Sequence, residues 1–69
     1  MNQLKINEMF HEVKTIGETI YHTSKLSVNQ KLLSLHILKE KAKILPVSVY
    51  PTIENILDCY QVNLIKGDL

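Results

Sequence analysis

The chain has 69 residues, with eight basic residues, all of them lysine, against seven acidic ones, and a formal net charge of +1. A domain that binds nucleic acid mainly through its phosphates carries a clear basic excess, so this balance argues against that class. One domain of this size buries only about 60% of its unfolded surface. Because the single cysteine, Cys59, cannot form an internal disulfide, we expect oligomerisation to supply the missing stability.

The first predicted helix covers residues 3–22. Its apolar positions follow steps of three and four residues and so form one stripe: Ile6, Met9, Phe10, Val13, Ile16 and Ile20. Gly17 lies inside this pattern, and a glycine in a helix costs roughly 1 kcal/mol relative to alanine. The sequence therefore predicts either a local weakness at Gly17 or a close approach of another helix.

The second predicted helix covers residues 28–44. Ser27 and Gln30 match a capping box at its start, and Pro46 limits its end. One apolar stripe consists of Val28, Leu32, Leu35, Leu38, Ala42 and Leu45, and part of a second consists of Leu33, Ile37 and Ile44. A helix that is apolar on more than one face is buried on more than one face. We expect this helix either to be central in the domain or to contact another chain, with Lys41 at the rim of the contact.

The third predicted helix covers residues 51–66. The segment Pro46–Pro51 holds β-branched residues between two prolines, which favours an extended linker or a short strand. Pro51 suits a first helical turn, and Gly67 suits a C-cap. The apolar stripe consists of Ile53, Ile56, Leu57, Tyr60 and Leu64. The fold class predicted for residues 1–69 is a single all-α domain of three helices, dimeric, with an extended Pro46–Pro51 linker.

The residue types that carry chemistry show no telling arrangement. His11, His22 and His36 have none of the paired spacings of a zinc site. Cys59 lacks a neighbouring base, and we expect it to be a small buried side chain. We therefore predict no catalytic, cofactor-binding or metal site, and no enzymatic activity.

Charge is unevenly distributed along the chain. Residues 25–43 contain five lysines and one acid, whereas the third helix carries Glu54 and Asp58 and no lysine before Lys66. The two segments are either solvated faces or surfaces complementary to a partner or to a second copy. No apolar run approaches the roughly 18 residues of a membrane-spanning helix, so we expect a cytoplasmic protein without membrane contact.

The C-terminal stretch 50–69 resembles the closing segment of Cro-like, XRE-type helix-turn-helix repressors of phage and plasmid type. The family pattern of a proline, a Ser/Thr-Leu-Glu-x-Leu-Leu helix and a Val-Ser/Asn-Leu tail is similar to Pro-Thr-Ile-Glu-Asn-Ile-Leu (51–57) and Val-Asn-Leu (62–64). The segment Glu-Lys-Ala-Lys-Ile-Leu-Pro (40–46) is similar to the family's Glu-x-Gly-x-x-x-Pro link. The Gln-x-x-Leu-Ala start of the family's second helix and the glycine of its turn are missing.

The resemblance implies a DNA-binding domain whose recognition helix would lie at residues 28–38. The candidate DNA contacts are then Asn29, Gln30, Lys31 and Ser34. The residues that follow in this helix are mostly apolar, and base edges are read by polar side chains.

Two functions follow from these patterns. The first is a non-catalytic, self-associating protein-binding module that regulates another protein, as an antirepressor, an immunity protein or a phage- or plasmid-type modulator does. Its contact residues would be Leu33, Ile37, Lys41 and Ile44. The alternative is a Cro-like transcriptional regulator that binds DNA. A purely structural dimeric bundle, similar to Rop, overlaps the first hypothesis.

Overall fold

The computed structural model describes residues 2–67; Met1, Asp68 and Leu69, the ends of the predicted domain and of the family-like tail, lie outside this range. Three α-helices follow one another along the chain: α1 (Gln3–His22), α2 (Val28–Lys41) and α3 (Tyr50–Lys66). A 3-10 turn (Ala42–Ile44) follows α2 directly. Residues 2–67 contain no β-strand, which confirms the prediction of an all-α, three-helix fold.

Side-chain caps fix where α1 and α2 begin. The Asn2 side chain accepts a hydrogen bond from the Lys5 amide at 2.8 Å. At α2 the capping box is present in both directions: the Gln30 amide donates to Ser27 Oγ at 3.2 Å, and the Ser27 amide donates to Gln30 Oε1 at 2.8 Å. These bonds satisfy amides that have no partner within the helix.

The end of α2 differs from the prediction of an α-helix over residues 28–44. The α-helix ends at Lys41, and the last turn tightens into the 3-10 turn, in which the Leu45 amide donates to the Ala42 carbonyl at 3.0 Å. The physical reason is Pro46, because the residue before a proline is forced out of the helical region. Leu45 has φ −69° and ψ 150°, an extended conformation.

In this structure a turn forms within Pro46–Pro51, the segment for which the sequence favours an extended linker. The amides of Val49 and Tyr50 both donate to the Pro46 carbonyl at 2.9 Å, which closes a turn, and α3 begins at Tyr50. A strand would need a neighbouring strand to accept its amides, whereas the Pro46 carbonyl satisfies two of them locally. Gly67 caps α3 as predicted, but in the right-handed conformation that any residue adopts.

The core is formed where α2 and α3 pack together under α1. Within residues 2–67, six apolar side chains form the buried core: Leu35, Leu38, Ala42, Leu45, Ile53 and Leu57. A half-buried layer surrounds them: Met9, Phe10, Val13, Ile20, Val49, Tyr50, Ile56, Tyr60 and Leu64. The core thus contains much of the first apolar stripe of α2 and the 3-10 turn that follows it, together with most of the apolar stripes predicted for α1 and α3.

Gly17 lies where α1 comes close to α3. A Cβ atom at this position would lie 2.7 Å from Cδ2 of Leu57, which is fully buried. About one helical turn further along both helices, the rings of Tyr21 and Tyr60 stack with centroids 4.7 Å apart. The glycine therefore permits close helix packing, one of the two roles that its place in the sequence suggested.

Candidate protein-binding face

Three large apolar side chains lie on the outer side of α2 and its 3-10 turn. Leu33 is 60% exposed, Ile37 is 46% exposed and Ile44 is 69% exposed. An α-helix turns through about 100° per residue, so Leu33 and Ile37 lie roughly opposite Leu35, which faces the core. We call Leu33, Ile37 and Ile44 the outer stripe; it coincides with the second apolar stripe of the sequence.

A groove runs between α1 and the C-terminal end of α2. Its volume is about 210 Å³. Its lining is apolar except for two charged side chains, and consists of Met9, Glu12, Val13, Ile16, Leu38, Lys41, Ala42, Ile44 and Leu45. Glu12 belongs to the α1 wall and Lys41 to the α2 wall. Sequence reasoning missed this groove, and its only signal was the small residue Ala42 among larger ones in the α2 stripe.

The four predicted contact residues fall on two adjoining surfaces. Leu33 and Ile37 belong to the outer stripe alone, whereas Lys41 belongs to the groove wall. Ile44 belongs to both, because it is part of the outer stripe and also lines the groove. The outer stripe and the groove therefore form one continuous, largely apolar surface along α2.

The basic α2 and the acidic α3 are joined inside the molecule. Lys39 Nζ lies 2.6 Å from Asp58 Oδ1, and the same ammonium group is 3.5 Å from Gln61 Oε1. Glu54 accepts a hydrogen bond from the Tyr50 hydroxyl at 2.9 Å. Burial and this carboxylate raise the pKa of the Tyr50 phenol. Lys39 and Asp58 thus help to hold α2 against α3, and the two carboxylates predicted to form a solvated acidic face both have partners within the molecule.

A second ion pair lies on the surface next to the 3-10 turn. Lys43 Nζ is 3.0 Å from Glu40 Oε2, and its hydrogen bond to the Glu40 carboxylate lowers the pKa of that group. Exposed pairs of this kind contribute roughly 0–1 kcal/mol. This pair fixes the position of two charges near the groove without contributing much to the stability of the fold.

The residues that would contact DNA under the alternative hypothesis do not form a free polar row. Gln30 is engaged in the capping box, and Lys31 Nζ donates to the Tyr21 carbonyl at 2.8 Å. Ser34 is half-buried, and Asn29 is the one of these four residues that is exposed and forms no side-chain hydrogen bond within residues 2–67. Reading base edges with Gln30 and Lys31 would require both to break these contacts.

The side chains with potential chemistry lie apart from one another. His11, His22 and His36 are exposed, and residues 2–67 contain no group of three or more His, Cys, Asp or Glu side chains that could hold a metal ion. The expectation of a buried Cys59 is wrong, since its side chain is exposed. The reason is its position on α3, which is turned away from Ile53 and Leu57.

Comparison with family models, with curated proteins and with solved structures gives no match for this chain. The resemblance of residues 50–69 to Cro-like regulators therefore stays a prediction. Within the part of the chain that the structure describes, none of the helices has the length and apolar character needed to cross a membrane.

Proposed function

We propose that this chain is a non-catalytic, helical protein-binding module that associates with a second copy of itself and regulates another protein by covering part of its surface. An antirepressor, an immunity protein or a phage- or plasmid-type modulator acts in this way. The observation that carries the proposal is the outer stripe, three large apolar side chains along α2 and its 3-10 turn, all of them substantially exposed. Exposed apolar patches of this kind mark interaction sites.

The energy available from the outer stripe is of the right order for self-association. Complete burial of one large aliphatic side chain contributes roughly 1.5–3 kcal/mol, and the stripe residues are part-buried already, so each contributes less. A two-fold dimer would bury the stripe of both copies. Burial of the exposed parts of these six side chains would contribute roughly 5–10 kcal/mol, against an association cost of about 4–15 kcal/mol. The outer stripe would therefore offset a large part of that cost, and the surrounding contacts would have to supply the rest.

The DNA-binding alternative has weaker support. It depends on the family resemblance and on the lysines of residues 25–43, of which Lys31, Lys39 and Lys43 already contact groups within the molecule. A protein that binds DNA through phosphates would lose affinity steeply as salt rises. Binding of a random duplex at low salt, lost at high salt, would favour this alternative over the proposed function.

Leu33→Lys tests the proposal. Because Leu33 is 60% exposed, the lysine can extend into water in the free chain, and we expect the helical content and melting behaviour of the monomer to be unchanged. In a dimer the same ammonium group would be buried against apolar side chains without a partner. We therefore expect the dimer to dissociate at concentrations where the unsubstituted chain is dimeric, as measured by sedimentation velocity.

Ile65→Lys is the matched control, because Ile65 is also an exposed apolar residue on a helix, but on α3 outside the outer stripe and the groove. It should leave association intact. A Leu33→Lys chain that stays fully dimeric would contradict the assignment of the outer stripe, and equal loss of association in both variants would show a nonspecific effect of added charge.

A further inference from the structure

The groove between α1 and α2 and the outer stripe are two halves of one surface, since Ile44 belongs to both. One half is concave, with the buried residues Leu38, Ala42 and Leu45 as its floor. The other half is convex, because Leu33 and Ile37 project from α2 into solvent. A surface that carries a hollow and a ridge side by side can be complementary to its own copy across a two-fold axis.

The size of the groove indicates the kind of occupant. Its volume of about 210 Å³ is smaller than the roughly 300–1,000 Å³ of a pocket for a drug-sized ligand. It is closer to the roughly 150 Å³ of an apolar cavity that holds benzene. One or two aliphatic side chains presented by a helix fit this space, and the isoleucine and leucine of the outer stripe have that chemistry.

The two charged residues of the groove favour a second copy of this chain as its occupant. Glu12 stands on one wall and Lys41 on the other, and neither forms an ion pair among residues 2–67. Each is an exposed charge at the edge of an apolar surface. When two identical chains meet about a two-fold axis, a contact from Glu12 to Lys41 occurs twice, and the formal net charge of +1 causes little repulsion between the copies.

We propose that the groove receives the outer stripe of a second copy, and that Glu12 of each chain pairs with Lys41 of the other. This inference rests on the proposed self-association and names the surfaces that meet. The apolar contacts supply the affinity, whereas the two ion pairs at the rim fix the orientation of the copies and exclude other registers.

The test uses two single charge reversals, Glu12→Lys and Lys41→Glu. In a dimer of Glu12→Lys chains, lysine 41 of each copy faces another lysine, and in a dimer of Lys41→Glu chains two carboxylates meet. Each variant alone should therefore dimerise at least about tenfold more weakly than the unsubstituted chain. In an equimolar mixture both cross-chain contacts become opposite-charge pairs, so we expect the mixed dimer to form selectively at close to the original affinity.

Native mass spectrometry with one variant isotopically labelled counts the mixed and like dimers directly. The control mixture is Glu18→Lys with Lys14→Glu, two exposed α1 positions outside the groove. In both mixtures one variant gains two positive charges and the other loses two. The control mixture therefore measures the attraction that arises from net charge alone. Circular dichroism would be used to check that all four variants remain folded.

The outcomes separate this inference from the proposed function. Weakened like dimers and a selective mixed dimer, absent from the control mixture, support the pairing of Glu12 with Lys41 across the two chains. A dimer that Leu33→Lys disrupts, but in which the charge reversals show no selectivity, overturns the groove assignment and leaves the proposed self-association standing. A chain that is monomeric before any substitution overturns both.

Discussion

Gly17 shows how one residue decides the distance between two helices. Alanine is about 1 kcal/mol more favourable than glycine inside a helix, and Gly17 lies in the middle of α1. Yet a Cβ there would come within 2.7 Å of the fully buried Leu57 side chain. Adding atoms to a packed core typically costs about 1–3 kcal/mol, so the steric term exceeds the propensity gain.

We therefore predict that Gly17→Ala lowers the free energy of unfolding by about 1 kcal/mol, the difference between the overpacking cost and the gain in helix propensity. For a domain of this size that loss corresponds to a fall in Tm of roughly 4–8 °C. Thermal unfolding at a fixed chain concentration measures it. Thr15→Ala, an exposed α1 position, is the control and should be neutral or slightly stabilising. A Gly17→Ala protein that melts higher than the original would contradict the close packing.

Residue patterns predicted contacts that are local in the chain and missed those that are not. The prediction that Cys59 is buried was wrong, because the burial of this side chain depends on which side of α3 packs against α2. The pair of Lys39 with Asp58 was missed as well, since nineteen residues separate the two side chains in the sequence. Both follow from tertiary packing, which no spacing of residues along one helix specifies.

At the scale of the elements, α2 is bounded by two local signals of different kinds. Its start depends on the reciprocal bonds of Ser27 and Gln30, and its end depends on Pro46, which forces Leu45 into an extended conformation. Both signals can be read from the sequence. The sequence did not reveal that the last turn becomes a 3-10 turn, or that the Pro46 carbonyl closes a turn instead of starting an extended linker.

We predict that Ser27→Ala destabilises the protein by about 1 kcal/mol, within the range of roughly 0.5–2 kcal/mol seen when a capping side chain is removed. The loss arises because the Gln30 amide would have no side-chain acceptor. Urea unfolding followed by circular dichroism measures the change in midpoint. Ser24→Ala, at an exposed bend before the cap, should leave the midpoint unchanged, and an equal effect of the two substitutions would argue against the capping box.

The outer stripe is the part of the candidate site that the sequence predicted best. Leu33, Ile37 and Ile44 repeat at helical spacing in the sequence, and all three are exposed. The groove was not predictable in the same way, because its walls come from two helices whose separation is set by packing. The proposed pairing of Glu12 with Lys41 of a second chain could therefore be inferred only from the three-dimensional structure.

At the scale of the whole molecule, the distribution of apolar surface is the main functional clue. The described residues are elongated, with extents of 41 × 19 × 15 Å. Large apolar side chains are exposed along the outer stripe and also at separate positions such as Leu4, Val47 and Ile65. Within the described residues, one ion pair, Lys39 with Asp58, joins α2 to α3. The proposed second copy would cover the outer stripe and supply partners for Glu12 and Lys41.

The most direct test of this account is the solution mass by light scattering at low and high salt, alone and with a random DNA duplex. The account predicts twice the chain mass of 8.0 kDa under all four conditions, because an apolar interface is little weakened by salt and the chain has no clear basic excess for DNA. A mass of one chain that increases only when DNA is present at low salt would contradict it and favour the regulator that binds DNA.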